Sequence, residues 1–547
     1  MILFAIALTI FLTGFILGPL AFLFWKSAGV SIHLAGSVIT NILVKQAIFR
    51  SFGLAAATTL SASLIAFPLA YLASFREFPG RKAWDRLLLL PLVAPPFVAA
   101  IGMRHILARF GTINLLLMKL PFITHPIDFL GSGLTGIFIL QVLHLYPIIY
   151  LNLRSSFENL DFSCIEASSS LGAGPWRTFR KILLPLTLPG YFSGAYLVFI
   201  WSLTDLGTPL VFDYPTLIPI MIFQSITDIY TNPAGYILII IVSILSLGLF
   251  AAMKRTLAHR SFIGVSRFTS SFERKTLPRG SAALATAGIA ILLIISLLPH
   301  AGVLLSSLSE RWFFTPFPEK ISLHYYRSIA IHASARKSLI NSLGYSTATA
   351  ILAGILALSI GYILSRTRFK LRGLIDTITI LPMAIPGIVF AFAFLTTFTG
   401  TILDPRTSPI LLLVLSYALK RLPFAVRAVH ANFQQLPLSL EEASANLGAT
   451  RFLTFRRITF PMLRSGLLAG IILTFAFSMM EVSSSLILVS QESRFPVAKA
   501  IYMLAGRITD GPAIASALGV IGMIITLLAL YVVSRLSGKR SSISISL

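Results

Sequence analysis

Charged residues are scarce in this chain of 547 residues, where they make up only 12% of the total, about half of their usual share in soluble domains. Hydrophobic residues account for 56% and occur in blocks of about 20 or more, long enough for a helix to cross ~30 Å of hydrocarbon. A soluble fold has no core large enough to bury all of these blocks. The composition therefore excludes a soluble globular protein and predicts an all-α, polytopic membrane protein.

Acidic residues are the scarcer of the two charge types, with 19 Asp and Glu against 44 Lys and Arg and a formal net charge of +25. Of the basic residues, 29 lie in six short segments at the ends of apolar blocks. This is the positive-inside pattern, and it explains the charge without a nucleic acid partner. It predicts that both termini are cytoplasmic and that the inner segments are 76–86, 154–185, 254–279, 366–373, 420–464 and 535–547.

The sequence has a single cysteine, Cys164, which excludes an internal disulfide and a multi-cysteine metal site. Its histidines lack the spacing of metal ligands, so we expect no metal site. No G-x-x-x-x-G-K-[ST] phosphate-binding loop occurs, so we expect no bound cofactor, no catalytic residues and no ATPase site in this chain. Residues 1–25 lack a basic first region and a small-residue cleavage site, and they are predicted to form the first membrane helix.

The apolar blocks predict about 12 transmembrane helices. The first six predicted spans are 2–25, 51–75, 87–109, 132–153, 187–213 and 234–253. The second six are 282–306, 340–365, 374–398, 409–430, 465–490 and 515–534.

An internal repeat relates the two groups of six spans. A shift of 291 residues pairs Tyr71, Asp85, Pro91 and Pro95 with Tyr362, Asp376, Pro382 and Pro386. Further along each half the shift is 276 residues, which pairs Pro147 with Pro423 and Gly190 with Gly466. Because six is an even number, both halves have the same orientation, and the repeat is parallel. The predicted domains are a first six-helix half at 1–253, a basic cytoplasmic linker at 254–281 and a second six-helix half at 282–547.

One motif occurs twice, between the fourth and fifth spans of each half. Each copy predicts a short helix, a sharp turn at a glycine in the left-handed conformation, and a second short helix. Pro175 fits the first turn of the second helix in one copy, and Thr450 can cap it in the other. The motif residues are Glu166, Ala167, Gly172, Phe179, Ile182 and Pro185 in the first copy, and Glu442, Ala443, Gly448, Phe455, Ile458 and Pro461 in the second.

These two copies resemble the E-A-A, three variable residues, Gly, I-x-L-P loop of permease subunits of type I ABC importers. Ser168 and Ser444 replace the second Ala of that pattern, and Phe460 replaces its Leu. The resemblance implies a permease of the bacterial inner membrane whose loops couple to two copies of a cytoplasmic ABC ATPase, where ATP is used. It also implies an extracytoplasmic solute-binding protein as a partner and the lipid bilayer as the surroundings.

A finer resemblance, to fused two-half permeases of the ferric-iron type, is carried by the segments 90–98 and 202–212. It implies ferric iron as the solute. Relatives of similar architecture carry thiamine, aminophosphonates or polyamines, and these alternatives stay open.

Two acidic residues, Asp205 and Glu481, fall well inside predicted spans. They are 276 residues apart, and each follows a serine, Ser202 or Ser478, by three positions. Ionised groups in hydrocarbon are costly and often mark a transport path. We predict that these four residues line a translocation pathway, and the alternative is that the carboxylates hold helices together.

Two other classes of function compete with an ATP-driven importer. An ion-coupled secondary carrier would use Asp205 and Glu481 as proton or cation sites, but it gives no role to the duplicated motif. A passive channel or scaffold explains neither the duplication nor the motif.

Overall fold

The computed structural model describes residues 2–29, 32–160, 163–226, 234–260, 274–312, 314–507 and 509–536. Within these ranges the protein is almost entirely helical, and its strands are short. Much of the predicted linker 254–281 and the end of the last predicted inner segment lie outside the described residues.

Ten described helices are long and apolar enough to cross a membrane, and the number rises to 12 if two bent helix pairs each count as one span. The ten are Leu3–Ala28, Ile42–Phe75, Leu134–Glu158, Pro175–Val211, Ala234–Arg255, Arg279–Leu308, Ala333–Arg366, Pro409–Gln435, Arg451–Met479 and Gly511–Val533. The predicted all-α membrane architecture is therefore confirmed.

We expected the third and ninth predicted spans, 87–109 and 374–398, to be continuous helices, but each is bent. The helix pair Arg81–Leu92 and Pro96–Leu117 bends by 92°, and the pair Arg372–Ala384 and Gly387–Phe398 bends by 108°. Each bend lies at a proline, Pro95 or Pro386, which has no N–H group to continue the helical ladder and disfavours helical geometry in the residue before it.

Shorter helical segments lie between these spans or within them. In the first half they are Ile32–Thr40, Ser163–Ser170, Gly207–Val211 and Ile218–Gln224, with π-helical segments at Thr13–Leu17 and Phe179–Leu183. In the second half they are His324–Ile331, Leu438–Asn446, Ser483–Leu488, the 3₁₀ turn Glu492–Arg494 and Val497–Ala505, with a π-helical segment at Phe455–Thr459. Strand Arg76–Glu77 pairs in parallel with Lys275–Thr276, and Ser309–Arg311 pairs antiparallel with Lys320–Ile321.

The chain packs as two compact units, each assembled from segments distant in sequence. One unit comprises the described residues of 41–221 and 244–321. Its core lies between the helices Ile42–Phe75, Leu134–Glu158 and Leu184–Thr204. The helix Arg279–Leu308 packs on Pro96–Leu107, where a Cβ atom at either Gly102 or Gly302 would overlap the other backbone. Small residues allow this close approach of two membrane helices.

The other unit comprises the described residues of 1–40, 222–243 and 322–541. In it the helices Ala333–Arg366, Pro409–Gln435 and Phe460–Met479 pack on one another. The N-terminal helix segment Gly18–Ala28 packs on Gly387–Phe398. The first span of each predicted half thus packs with helices of the other half. The predicted domain boundaries at 253 and 282 describe the sequence repeat and stay a prediction.

Candidate functional site

The first motif loop, residues 163–185, has the predicted helix–turn–helix form. Its first helix, Ser163–Ser170, ends before Gly172, whose φ of 75° is left-handed. The amide of Ala173 donates to the carbonyl of Ser168 at 3.0 Å, which closes the turn. Pro175 is the first residue of the next helix. The predicted conformation of the glycine and the predicted place of Pro175 are therefore confirmed.

The second motif loop, residues 438–461, repeats this geometry. Gly448 has a φ of 81°, and the amide of Ala449 donates to the carbonyl of Ser444 at 3.1 Å. The Thr450 side chain accepts a hydrogen bond from the amide of Leu453 at 3.3 Å, as expected of a helix cap. Both loops then enter the following long helix through a π-helical turn, so the helix continues past Pro185 and Pro461.

A buried hydrogen bond between two hydroxyl groups joins the short helices of each loop. Ser168 Oγ lies 2.8 Å from Thr178 Oγ1, and Ser444 Oγ lies 2.9 Å from Thr454 Oγ1. The two serines are at the position of the second Ala of the family pattern. Our sequence analysis missed the threonines, although they recur at the same shift of 276 residues. We call these pairs the hydroxyl clamps.

Each loop exposes two large apolar side chains beside its glutamate. Leu171 and Trp176 are 87% and 72% exposed in the first loop, and their equivalents Leu447 and Phe452 are 88% and 72% exposed in the second. Such exposure at equivalent positions of both repeats is typical of a protein–protein contact surface. We did not single out these four residues from the sequence.

The predicted motif residues divide into exposed and inward-facing groups. Glu166, Ala167, Glu442 and Ala443 are exposed, and neither glutamate forms an ion pair among the described residues. Phe179, Ile182, Phe455 and Ile458 are half-buried. Phe179 packs edge-on against Phe67 with ring centroids 5.7 Å apart. The glutamates are thus available to a partner, whereas Phe179 holds the first loop onto its own unit.

The second loop has an ionic anchor that the first lacks. Arg366 contacts the Glu441 carboxylate at 3.1 Å, and Thr459 Oγ1 donates to the same carboxylate at 2.9 Å. Arg366 also donates to the carbonyl of Leu436 at 2.9 Å. The residue equivalent to Glu441 in the first half is Ile165, which cannot form this pair.

We expected Asp205 to lie inside a continuous helix, but it lies at a break in the fifth span. The long helix ends at Thr204, and a short one begins at Gly207. The Asp205 carboxylate accepts hydrogen bonds from the amides of Gly207 at 3.1 Å and Thr208 at 3.3 Å, so it caps the start of the short helix. It also accepts one from Gln141 Nε2 at 3.2 Å.

Ser202 belongs to the same hydrogen-bonded group. Its hydroxyl donates to Gln141 Oε1 at 2.6 Å. The two predicted pathway residues of the first half are therefore connected through the Gln141 side chain. In the second half Ser478 is buried, and its hydroxyl has no hydrogen-bond partner among the described residues.

Glu481 lies in the equivalent break of the eleventh span, between Met479 and Ser483. One carboxylate oxygen accepts from the amides of Ser484 at 2.9 Å and Ser485 at 3.3 Å. The other lies 2.5 Å from Lys420 Nζ. The side chain is 3% exposed, so this is a buried ion pair.

The partner of Glu481 was misplaced in our sequence analysis. We placed Lys420 and Arg421 at the inner end of the predicted span 409–430, where it overlaps the predicted inner segment 420–464, but both lie near the middle of the helix Pro409–Gln435. The assignment was wrong because a charge cluster was taken for the end of a span, whereas Glu481 stabilises Lys420 inside it. A second lysine, Lys499, donates to the carbonyl of Leu486 at 2.9 Å, and burial lowers its pKa to about 8.

Comparisons with known proteins agree with the duplicated architecture. The family model described as "Binding-protein-dependent transport system inner membrane component" matches residues 62–263 and again residues 338–541. The first match begins within the second predicted span, and the second match begins just before the eighth predicted span.

Curated relatives are similar over most of the chain. The ferric transport system permease protein FbpB of Actinobacillus pleuropneumoniae is 28% identical over 77% of this chain and 61% of its own length. A putative ferric transport system permease protein FbpB 1 of Haemophilus influenzae is 29% identical over 74% of this chain and 64% of its own length. The chain thus spans somewhat less than two thirds of the length of these relatives. The Fe(3+)-transport system permease protein FbpB 2 of H. influenzae is 24% identical over 87% of both chains.

Proposed function

Because this chain belongs to the family of binding-protein-dependent transport system inner membrane components, we propose that it is the permease of an ATP-driven importer. The importer takes a small solute from an extracytoplasmic binding protein and moves it into the cytoplasm. The chain supplies the membrane path, and a separate subunit hydrolyses ATP.

The observation that carries this proposal is the pair of matching exposed surfaces on the motif loops. Each presents an exposed glutamate beside two exposed apolar side chains, Leu171 with Trp176 and Leu447 with Phe452. Apolar side chains of this size leave water favourably when a partner covers them. Two equivalent surfaces fit two copies of one ATPase, and the proposed orientation places both loops and both termini in the cytoplasm.

Ferric iron is the solute that the relatives support best. The three relatives described above are all named as ferric or Fe(3+) transport permeases, and the segments 90–98 and 202–212 resemble the same type. Thiamine, aminophosphonate and polyamine carriers remain the alternative solutes of the same transporter class.

Removing the exposed aromatic rings tests the coupling. In the double variant Trp176→Ala/Phe452→Ala we expect the ATPase to be lost on co-purification and ATP-driven uptake to stop, while the permease remains in the membrane. Ile402→Ala is a matched control, since Ile402 is 98% exposed and lies outside the loops. Normal co-purification and uptake in the double variant would contradict the proposal.

An inactive ATPase subunit separates the importer from an ion-coupled carrier. We expect uptake to cease when the hydrolytic site of the partner is inactivated, with the ion gradients across the membrane held constant. Uptake that continues and follows the proton or sodium gradient would instead favour a secondary carrier.

The proposed orientation is tested by labelling single cysteines with an impermeant thiol reagent in a Cys164→Ser background. Lys370→Cys is expected to be protected in intact cells, because the segment 366–373 carries four basic residues. Thr216→Cys, in a segment without Lys or Arg, is expected to react. The reverse pattern would overturn the orientation.

A further inference from the structure

The break around Glu481 holds more positive than negative charge. Lys420 Nζ is paired with the Glu481 carboxylate at 2.5 Å, and Arg421 follows on the same helix. The Arg421 guanidinium lies over the Phe477 ring at 5.4 Å, and its Nε is buried without a hydrogen-bond partner among the described residues. One carboxylate therefore faces two cations near the middle of a membrane helix.

A helix N-terminus adds to this positive character. The helix Gly387–Phe398 begins at the bend of the ninth span. A Cβ atom at Gly387 would overlap Lys420 Nζ, so the ammonium group lies directly against the first turn of this helix. The first turn of a helix has backbone N–H groups without intrahelical partners and carries a partial positive charge. An ammonium group placed there favours the arrival of an anion.

Glu481 cannot neutralise this group of charges by itself. Its second oxygen is already used by the amides of Ser484 and Ser485. The hydroxyl group of Tyr417, on the same helix, is hydrogen-bonded to Ser485 Oγ at 2.5 Å and does not supply charge. Two cations thus share one carboxylate, and the buried Nε of Arg421 has no acceptor among the described residues. A further negatively charged oxygen would be stabilised at this place.

We infer that Lys420, Arg421 and the first turn of Gly387–Phe398 form a binding site for an oxyanion carried by the solute. The inference rests on the proposed function as an importer and sharpens its solute class. For ferric iron as the solute, such a site requires the ion to pass as a complex whose carboxylate or phosphate ligands give it negative charge. A guanidinium group binds such oxygens through paired hydrogen bonds.

The transport test uses the complete importer, with its ATPase and binding protein, in proteoliposomes supplied with radioactive ferric citrate. We expect Arg421→Gln to slow ATP-driven uptake roughly tenfold, the effect of losing one charge-assisted hydrogen bond. Arg421→Lys should keep most of the rate because it keeps the charge. Gly387→Ala should slow uptake by displacing the flexible end of Lys420. The exposed Arg372→Gln is the control for loss of one positive charge.

Anion binding at the same site can be measured without transport, through its effect on thermal stability. The thermal midpoint of the purified complex is measured in orthophosphate and in chloride at equal ionic strength. We expect phosphate to stabilise the wild type and Arg372→Gln, and to have no such effect on Arg421→Gln. Uptake by Arg421→Gln at the wild-type rate, or equal stabilisation of both proteins by phosphate, would overturn the inference. No ATP-driven iron uptake by the wild type, with the phosphate effect intact, would contradict the proposed solute and leave the anion site standing.

Discussion

The breaks at Asp205 and at Glu481 occupy equivalent places in the two halves, yet their carboxylates have different surroundings. Each carboxylate accepts hydrogen bonds from two backbone amides at the start of the next short helix. The first then contacts the neutral Gln141, whereas the second contacts Lys420. The residue equivalent to Lys420 in the first half is His144, and the residue equivalent to Arg421 is Leu145.

This difference distinguishes a structural role of the acids, which both halves share, from a functional role that is found at the second break. The capping of a short helix by an acid is common to both halves, so it belongs to the architecture of the repeat. At the first break, neither Lys420 nor Arg421 has a Lys or Arg equivalent, so these two cations belong to a function that the first half does not share.

Neutralising the two acids should affect stability unequally. Glu481→Gln leaves Lys420 buried without its counter-ion, and breaking a buried pair in this way costs ~3 to 5 kcal/mol. Asp205→Asn keeps an amide oxygen for the helix cap, so a cost below ~1 kcal/mol is expected. The measurement is the thermal midpoint and the amount of folded protein extracted from membranes. Equal loss in both variants would mean that the halves do not differ in this respect.

Removing both partners of the ion pair should recover much of the lost stability. In Lys420→Met/Glu481→Leu no unpaired charge from that pair remains, and apolar replacements of buried pairs are often neutral for stability. We expect the thermal midpoint to lie well above that of Glu481→Gln, while uptake stays low because the ammonium group is absent. A double variant as unstable as Glu481→Gln would show that the pair is not the source of the effect.

The two left-handed glycines should tolerate substitution to different extents. Gly172→Val and Gly448→Val each force a β-branched residue into a conformation that costs roughly 1 to 2 kcal/mol. The second loop is also held by Arg366 and Glu441. We therefore expect Gly448→Val to retain more co-purified ATPase than Gly172→Val.

Gly174→Ala is the control for the glycine variants, because Gly174 has an ordinary negative φ and open space around its Cα. It should keep both ATPase and uptake. Adding Glu441→Gln to Gly448→Val should remove the difference between the loops. If it does not, the ionic anchor is not the reason for the difference.

The hydroxyl clamps should contribute equally in the two loops. Ser168→Ala and Ser444→Ala each leave a buried threonine hydroxyl without its partner, at a cost of about 1 kcal/mol. The exchanged pair Ser168→Thr/Thr178→Ser keeps the hydrogen bond and should restore ATPase co-purification. Full co-purification in Ser168→Ala would exclude a role of the clamp in positioning the loop.

The repeat and the motif loops were predictable because their signals are local. The glycine turn, the Pro175 helix start and the Thr450 cap each depend on residues within a few positions, and the structure has all three. The membrane class followed from composition alone. Duplication made the signal stronger, since each feature occurs twice at a constant shift.

What the sequence did not determine was which distant residues meet. Lys420 lies 61 positions from Glu481, and no local pattern shows that the two form a pair. The bends at Pro95 and Pro386 were missed because the apolar content of a segment indicates the length of a span and not the direction of its helix axis. Only tertiary packing decides whether a charged residue ends a span or lies within it, because a buried partner can offset the cost of leaving water.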